Sequence, residues 1–209
     1  MRKSWTGAFL GAVVATTAVM YASSTTPGAA GPLPSAGFAQ TGASTSVPYG
    51  WVDFCRRYSG ECDASEAMQP LRLTARSLKT VTTINKWVNA NIEPLSDMQH
   101  WGVVDRWDYP NDGKGDCEDY LLLKRKMLME EGFPRSALLV TVVKDKKGEG
   151  HAVLTIKTDR GEFILDNMTD RIVSADKTGY RFVKRQSQQD PNVWVSIGEP
   201  TEAPAYVSR

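Results

Sequence analysis

The hydrophobic pattern changes once along this 209-residue chain, from helical spacing in its middle to short strand-like runs after Gly132. Apolar residues recur at three- and four-residue steps between Thr74 and Pro94, and a second helix is predicted to begin at Asp116 or Cys117. Runs rich in Val, Leu, Ile and Thr then follow at residues 137–143, 151–157, 162–166 and 193–197. Helices followed by a meander predict an α+β domain, with the helices packed on a small antiparallel sheet.

The first residues, MRKSWTGAFLGAVVATTAVMYA, are typical of export. Arg2 and Lys3 precede an apolar stretch that is shorter than the roughly 20 residues of a membrane-spanning helix. A signal peptide is therefore predicted over residues 1–30, which places the mature protein in the periplasm or outside the cell. An uncleaved N-terminal anchor is the alternative. Residues 31–47 are predicted to be a flexible leader, 48–198 the folded domain and 199–209 a frayed tail.

The charge balance argues against two classes of partner. Without Arg2 and Lys3, the 25 basic residues fall by two and nearly balance the 24 acidic ones, and no run of like charge stands out. Nothing in this pattern favours nucleic acid or an anionic membrane surface after the signal is removed.

Export changes how the three cysteines are interpreted, because an oxidising compartment permits disulfides. Cys55 and Cys62 flank a Ser59-Gly60 turn signal, and a disulfide between them is predicted to close a small loop. The alternative, two free thiols holding a metal, lacks neighbouring ligands. Cys117 is left over, as a reactive thiol, an intermolecular link or a small buried hydrophobic residue.

Cys117 lies in the stretch GDCEDYLLLKRK, at the first turn of the second predicted helix. The unpaired N–H groups and the dipole of a helix N-terminus favour a thiolate presented to solvent, and the same N–H groups suit an oxyanion. A thiol nucleophile needs a base, and the chain has two histidines. His151 opens a predicted strand after a glycine-rich turn and is the candidate base. His100 lies in an irregular aromatic segment and is interpreted as structural.

The orienting group for His151 follows from a register argument. If the loop TDRG pairs Lys157 with Glu162, Val153 faces Asp166, so that His151 and Asp166 share one face of the sheet. Diagonal neighbours lie about 7–8 Å apart, within reach of an imidazole and a carboxylate, whereas a slip of one residue would separate them. Cys117, His151 and Asp166 are then a candidate acyl-transfer triad. The alternative for Asp166 is a strand-end carboxylate that begins a turn.

Three motifs, GDCEDYLLLKR, GEGHAVLTI and FILDNMTD, in this order, resemble those of the bacterial transglutaminase-like cysteine proteinases over residues 48–198. The resemblance implies a papain-like or transglutaminase-like fold, with Cys117 as nucleophile, His151 as base and Asp166 as orienting acid. It also implies a protein substrate such as a surface adhesin, and an inner-membrane regulatory receptor as a partner. The rival functions are a transglutaminase or acyltransferase that uses an amine acceptor, and a non-catalytic calcium-dependent binding domain.

The acids around Cys117 raise a separate question, because bare negative charges would raise the pKa of the thiol. The resemblance implies calcium bound through Asp116 and Glu118, and a hard cation suits carboxylate ligands. Asp97, Asp105 and Asp112 are candidates for further ligands by their proximity in sequence. The alternative is that Asp116 caps the helix, while Glu118 and Asp119 favour its dipole.

Two other groups of residues carry weaker signals. Trp101, Trp107 and Tyr109 are interpreted as core residues, and the alternative is that they line a substrate groove. The basic run from Lys124 to Lys126 is interpreted as the solvated face of the second helix.

Overall fold

The computed structural model describes residues 31–64, 71–198 and 202–207. The predicted signal peptide lies outside the described residues. The chain divides between Gly31 and Pro32, and the account below concerns the second unit, residues 32–209. No helix within the described ranges is both long enough and apolar enough to cross a membrane.

In this part of the chain four α-helices and nine β-strands alternate irregularly. The helices are α1 (Tyr49–Arg57), α2 (Ala75–Asn91), α3 (Asp97–His100) and α4 (Cys117–Glu130). The strands are β1 (Thr41–Thr45), β2 (Glu93–Pro94), β3 (Lys114–Gly115), β4 (Leu138–Lys144), β5 (Gly150–Thr158), β6 (Gly161–Asp166), β7 (Thr169–Ser174), β8 (Arg181–Gln186) and β9 (Trp194–Ile197).

Seven of these strands form one antiparallel sheet in the order β1-β9-β8-β4-β5-β6-β7. The predicted meander is its centre, where β4, β5 and β6 pair in sequence order. Helix α4 contacts β5 on one side and α2 on the other. The predicted α+β class is confirmed, and the sheet is larger than the sequence indicated because β1, β7 and β8 were not recognised as strands.

The prediction of a flexible leader over residues 31–47 is wrong for its second half. Thr41 pairs with Ile197 and Thr45 with Trp194, so that this segment is the edge strand β1. Just before it, the N–H of Ala39 donates to Glu162 at 3.1 Å. An edge strand is held by backbone hydrogen bonds, which need no bulky apolar side chains, and the composition of the segment therefore misled the prediction.

The prediction of a frayed tail over residues 199–209 is also corrected for residues 202–207. Residues 202–207 are described, and Val207 is only 3% exposed, among the residues of the main core. The burial of a single aliphatic side chain cannot be predicted from the sequence, because one residue forms no periodic hydrophobic pattern.

Helix α2 begins and packs as the sequence predicts. Thr74 caps α2 by accepting a hydrogen bond from the Ser77 N–H at 3.0 Å, and α2 buries Val81, Ile84 and Val88. Such a cap contributes about 1 kcal/mol.

Helix α4 is covered on most sides. Lys126 is exposed, as predicted, but Lys124 and Arg125 are each 1% exposed, so that the prediction of a solvated basic face is wrong for these two residues. The guanidinium of Arg125 lies over the Trp51 ring at 5.6 Å, and its Nε donates to the Leu138 carbonyl. Burial lowers the pKa of Lys124 to about 7. Lys124 and Arg125 are buried because α4 is the central helix of the domain. The pattern of charges along the sequence does not reveal this position.

The predicted disulfide between Cys55 and Cys62 is present. It joins the end of α1 to a turn whose Gly60 and Glu61 carbonyls accept hydrogen bonds from Arg135. Beside it, Trp107 and Tyr109 are buried with Trp51 and Phe54, as expected of core residues. Trp101, in contrast, is 44% exposed.

Candidate active site

Cys117 is the first residue of α4, and the residues before it explain its position. Asp116 is the N-cap, and its own N–H donates to Asp119 Oδ2 at 3.4 Å. Gly115 permits this close turn, because a Cβ there would stand 2.7 Å from the Cβ of Asp119. The thiol donates to Glu118 Oε2 at 3.0 Å and is 1% exposed, so that the predicted presentation to solvent is not found.

The register predicted from the TDRG loop is confirmed. Lys157 pairs with Glu162 and Leu154 with Leu165, which sets His151 and Asp166 on one face of the sheet. His151 Nε2 lies 2.9 Å from Asp166 Oδ1, and the imidazole is fully buried. Its other nitrogen, Nδ1, is buried without a hydrogen-bond partner among the described residues. The nitrogen that does not face Asp166 is therefore available to a thiol proton.

Interactions among Cys117, His151 and Asp166 favour the charged forms of the imidazole and the carboxylate. Burial alone lowers the pKa of His151, but the neighbouring Asp166 and then Cys117 outweigh it and raise that pKa to about 10. Burial raises the pKa of Asp166, and the hydrogen bonds from His151 and Tyr180 outweigh this effect and lower it. The arrangement therefore favours an imidazolium held by a carboxylate at neutral pH.

Asp166 is held from two further directions. Its Oδ1 accepts a hydrogen bond from the Met168 N–H at 3.0 Å, and its Oδ2 accepts one from the Tyr180 hydroxyl at 2.6 Å. The Tyr180 ring also stands edge-on to the His151 ring, with centroids 5.6 Å apart. Sequence reasoning missed Tyr180, because the stretch KTGY carries no motif and reaches the site only through the sheet topology.

His100 is not brought to this group. Its Nε2 lies 2.8 Å from Asp112 Oδ2, and its ring stacks on Trp101 at 3.9 Å. These contacts agree with the structural interpretation of His100.

A group of three buried carboxylates lies beside the thiol. Asp97, Asp116 and Glu118 each offer an oxygen within 4.8 Å of the others, and each is at most 1% exposed. The backbone N–H of Asp97 donates to Asp116 Oδ2 at 3.1 Å, which ties the start of α3 to the N-cap of α4. Of the three further ligand candidates, the structure therefore brings Asp97 to the predicted pair.

The other two candidates serve elsewhere. Asp105 accepts hydrogen bonds from the Gly50 N–H and from Trp107 Nε1. The Asp112 side chain is half exposed and faces His100.

The chemistry of the three-carboxylate group fits a hard divalent cation. Within the described ranges, Asp97 Oδ1 and Glu118 Oε1 are buried without a hydrogen-bond donor. Burial, and then the charge of Asp116, raise the pKa of Asp97 to about 7, while burial and the neighbouring Cys117 raise the pKa of Glu118 well above its ordinary value. Three anions in one buried place are unfavourable unless a cation or protons compensate them. Calcium prefers such oxygen ligands.

A thiol at a helix N-terminus, an imidazole on a neighbouring strand and a carboxylate behind it define the class of cysteine-dependent acyl-transfer enzymes. Comparison with known proteins narrows this class. Residues 41–202 match the family model of the bacterial transglutaminase-like cysteine proteinases, BTLCP. The chain belongs to this family, and it is a cysteine proteinase that acts on protein.

Solved structures that resemble it include forms of LapG from Legionella pneumophila. The calcium-bound form has a TM-score of 0.50 and 22% identity, over 60% of this chain and 74% of that one. A second LapG structure has a TM-score of 0.48 and 23% identity, over 57% and 68%, and an EGTA-treated form has 0.47 and 22%, over 59% and 72%. The first likeness agrees with a transglutaminase-like fold. The chain matches no curated protein.

Proposed function

We propose that this protein is an exported cysteine endopeptidase that hydrolyses peptide bonds through Cys117, with His151 as general base and acid and Asp166 as the group that orients the imidazole. The observation that carries the proposal is the position of His151. One ring nitrogen is held 2.9 Å from Asp166, and the other has no hydrogen-bond partner in the described part of the chain, on a ring whose pKa is raised by Cys117.

The reaction follows from these positions. Transfer of the thiol proton to His151 Nδ1 gives the thiolate–imidazolium pair that the raised pKa of His151 favours, and the sulfur of Cys117 then attacks the substrate carbonyl carbon, which forms a C–S bond and moves an electron pair to oxygen. The backbone N–H of Cys117, at the first position of α4, has no acceptor within the helix and is the proposed donor to this developing charge. Collapse breaks the C–N bond, and the imidazolium gives its proton to the amine that leaves. Water, deprotonated by His151, then attacks the thioester carbonyl and forms a C–O bond; collapse breaks the C–S bond, releases the acid, and His151 returns the proton to the sulfur.

The test of this function is digestion of a cell-surface protein fraction in water enriched in oxygen-18. A hydrolase is expected to give discrete products whose new C-termini carry the heavy oxygen, and prior alkylation of Cys117 is expected to block their formation. Products that instead acquire an added amine would contradict hydrolysis and indicate a transglutaminase. Cleavage that survives alkylation would contradict a thiol mechanism.

The substrate class within this proposal is a large surface protein such as an adhesin, and the regulator is a receptor in the inner membrane. Both come from the family resemblance of the Cys117, His151 and Asp166 motifs. The proposed site of action, the periplasm or cell exterior, is supported by the signal-like first residues and by the disulfide between Cys55 and Cys62, which needs an oxidising compartment.

Calcium is the proposed cofactor, and Asp97, Asp116 and Glu118 are the residues that would hold it. The buried, donor-poor oxygens of this group support the assignment, and the similar LapG structure is described as calcium-bound. When bound, the cation would neutralise the acids that surround Cys117 and so favour its thiolate. The Asp116 carboxylate itself fixes the start of α4 by accepting a hydrogen bond from the backbone N–H of Asp97.

The calcium proposal predicts a difference between two similar substitutions. Asp97→Asn is expected to weaken calcium binding at least about tenfold, since even changes behind a ligand cost about 10- to 100-fold in metal affinity. Asp112→Asn, its control, alters a half-exposed carboxylate outside the group and is expected to leave the affinity unchanged. Calorimetric titration with calcium alone measures both. Chelation with EGTA is expected to lower the cleavage rate of the unmodified protein, and equal affinities of the two variants would contradict the assignment.

A further inference from the structure

Asp166 is the last residue of β6, and the chain reverses direction directly after it. Two residues, Asn167 and Met168, separate Asp166 from its pairing partner Thr169, the first residue of β7. Neither Asn167 nor Met168 has a positive φ. The turn types that best fit a two-residue hairpin loop need a positive φ at one or both central positions. The turn is therefore not of a type that the hairpin itself favours, and contacts from outside the hairpin bear on its conformation.

The pairing of β6 with β7 is also irregular just before Asp166. Ile164 pairs with Val173, whereas Asp166 pairs with Thr169, so that the register shifts between these two pairs. Irregularities of this kind redirect a side chain and are common next to active sites. The direction in which the Asp166 carboxylate leaves the strand is thus set by the backbone of a short, irregular segment.

Helix α2 supplies contacts to both ends of the turn. Asn89 Nδ2 lies 3.0 Å from the carbonyl oxygen of Asp166 and 3.2 Å from that of Thr169. It also lies 3.0 Å from Oδ1 of Asp170. Asn85, four residues earlier and on the same face of α2, donates to the Thr169 carbonyl at 3.3 Å. An amide oxygen in place of Asn89 Nδ2 would face three other oxygens, so that the surroundings determine which way this amide points.

Asn89 holds a different part of Asp166 from the other supporting groups. The Met168 N–H and the Tyr180 hydroxyl donate to the carboxylate, whereas Asn89 donates to the main-chain carbonyl. A displaced main chain would carry the carboxylate away from His151 Nε2, which now lies 2.9 Å from it. A misplacement of about 1 Å in a reacting group costs roughly 100-fold in rate.

The helix that carries Asn89 is also fixed to the helix that carries the thiol. Helix α2 packs against both α4 and β7. Tyr120, one turn after Cys117 on α4, donates from its hydroxyl to the carbonyl of Ile92, the C-cap of α2, at 2.5 Å. Asn89 therefore connects the turn after Asp166 to the pair of helices that positions Cys117.

We propose that Asn89 is a positioning residue of the catalytic site, which fixes the main chain of Asp166 and the turn after it so that the carboxylate stays within hydrogen-bond distance of His151. This role rests on the peptidase function proposed above, because it gives Asn89 a part in the same triad. Asn89 lies 77 residues before Asp166, and the helical pattern of α2 does not distinguish it from other polar residues on the helix.

The first test compares two substitutions on one helix in the full chain. Asn89→Leu keeps the approximate size of the side chain and removes its N–H donors, and the initial rate of cleavage of a cell-surface protein fraction is expected to fall roughly 10- to 100-fold. Asn91→Leu is the matched control, because the Asn91 amide donates to the Trp87 carbonyl within α2. Its cleavage rate is expected to stay unchanged. If Asn89→Leu does not fold, Asn89→Ala is compared with Asn91→Ala, with the same expectations.

The second test follows the titration of His151 by NMR of the imidazole nitrogens and does not depend on cleavage. Burial lowers the pKa of His151, but Asp166 and then Cys117 outweigh it and raise that pKa to about 10. A looser contact with Asp166 supports the imidazolium less, so that in Asn89→Leu the proton is expected to be lost at least about half a pH unit lower. The signals of His100, the other histidine of the chain, are expected to be the same in all variants.

The groups that face the triad acid and base stay in place in this comparison. Cys117 and Tyr180 lie beside His151, and the buried ammonium of Lys124 on α4 interacts with the charges of Asp166 and Asp170. Asn89→Leu changes none of these side chains. A shift in the titration of His151 therefore reports the position of Asp166 relative to the imidazole.

A folded Asn89→Leu variant with an unmodified cleavage rate and an unmodified His151 titration would overturn the proposal. A lower cleavage rate with an unchanged titration would overturn it as well, because the substitution would then act on the structure at large and not through the triad acid. Failure of the peptidase function is a distinct result, in which the unmodified protein leaves the surface-protein fraction intact while the titration of His151 still moves in Asn89→Leu.

Discussion

Replacement of Cys117 by alanine is expected to reduce cleavage of the surface-protein substrate by about 10⁶-fold, which is the scale of loss when the nucleophile of a comparable triad is removed. The reason is that, in the proposed mechanism, the sulfur forms the covalent bond to the substrate, and no other free thiol can replace it. Cys55 and Cys62 are joined to each other, and Cys117 is the free cysteine. The measurement is the initial rate of product formation at matched enzyme concentration.

Two controls separate loss of chemistry from loss of structure. The alanine variant leaves the carboxylates of Asp97, Asp116 and Glu118 in place, so that its calcium titration is expected to resemble that of the unmodified protein. Its thermal unfolding is expected to change little, because the substitution removes only one heavy atom, the sulfur. A residual cleavage rate above about 1% of the unmodified rate is far higher than expected and would assign the nucleophile to another group.

Asp166→Asn is expected to lower kcat by about 10⁴-fold, as the loss of an orienting carboxylate does in other triads. An amide in place of the carboxylate withdraws the charge that supports the imidazolium and permits the wrong tautomer. The substitution is nearly isosteric, so that the Met168 N–H still finds an acceptor.

The same substitution is expected to move the alkaline limb of the pH profile. The leaving amine needs the proton of His151, whose pKa is raised to about 10, and cleavage is therefore expected to decline as the pH rises through about 10. Asp166 is the largest contributor that raises this pKa, so that Asp166→Asn is expected to shift the decline to lower pH. An unchanged alkaline limb would contradict the role of Asp166.

Tyr180→Phe serves as the graded comparison. It removes only the hydroxyl that donates to Asp166 at 2.6 Å and keeps the ring against His151. A hydrogen bond to a charged group contributes about 1.5–3 kcal/mol, so that kcat is expected to fall by roughly ten- to one-hundredfold, well short of the loss in Asp166→Asn. A loss of kcat in Tyr180→Phe as large as that in Asp166→Asn would contradict the positioning role and indicate that the hydroxyl takes a direct part in catalysis.

The central fold was predictable because its signals are local. The capped start of α2, the glycine loop and acidic cap before α4, and the alternating strands on either side of the TDRG loop each express the conformation of neighbouring residues. Strands β1, β7 and β8 were missed because they are short and partly exposed, and their pairing is decided by distant partners. Thr41, for example, becomes a strand residue only because Ile197 lies beside it.

At the candidate site, too, features set by nearby residues were predictable and features set by distant residues were not. Cys117, His151 and Asp166 were open to prediction because one stands at a helix start and the other two are related by a hairpin register, which short-range geometry determines. Motif spacing could not reveal that Tyr180 supports Asp166, or that Asp97 joins the predicted pair of acids.

The sequence by itself determined the helix start that carries the thiol, the hairpin that aligns imidazole and carboxylate, and the loop that the disulfide closes, because each depends on residues within about 20 positions of one another. Only the tertiary structure decided that the thiol is buried, that Lys124 and Arg125 lie inside, and that Val207 returns to the core. Burial is a property of all the chain that surrounds a residue, and desolvation then changes the charge and reactivity that the residue has in the folded protein.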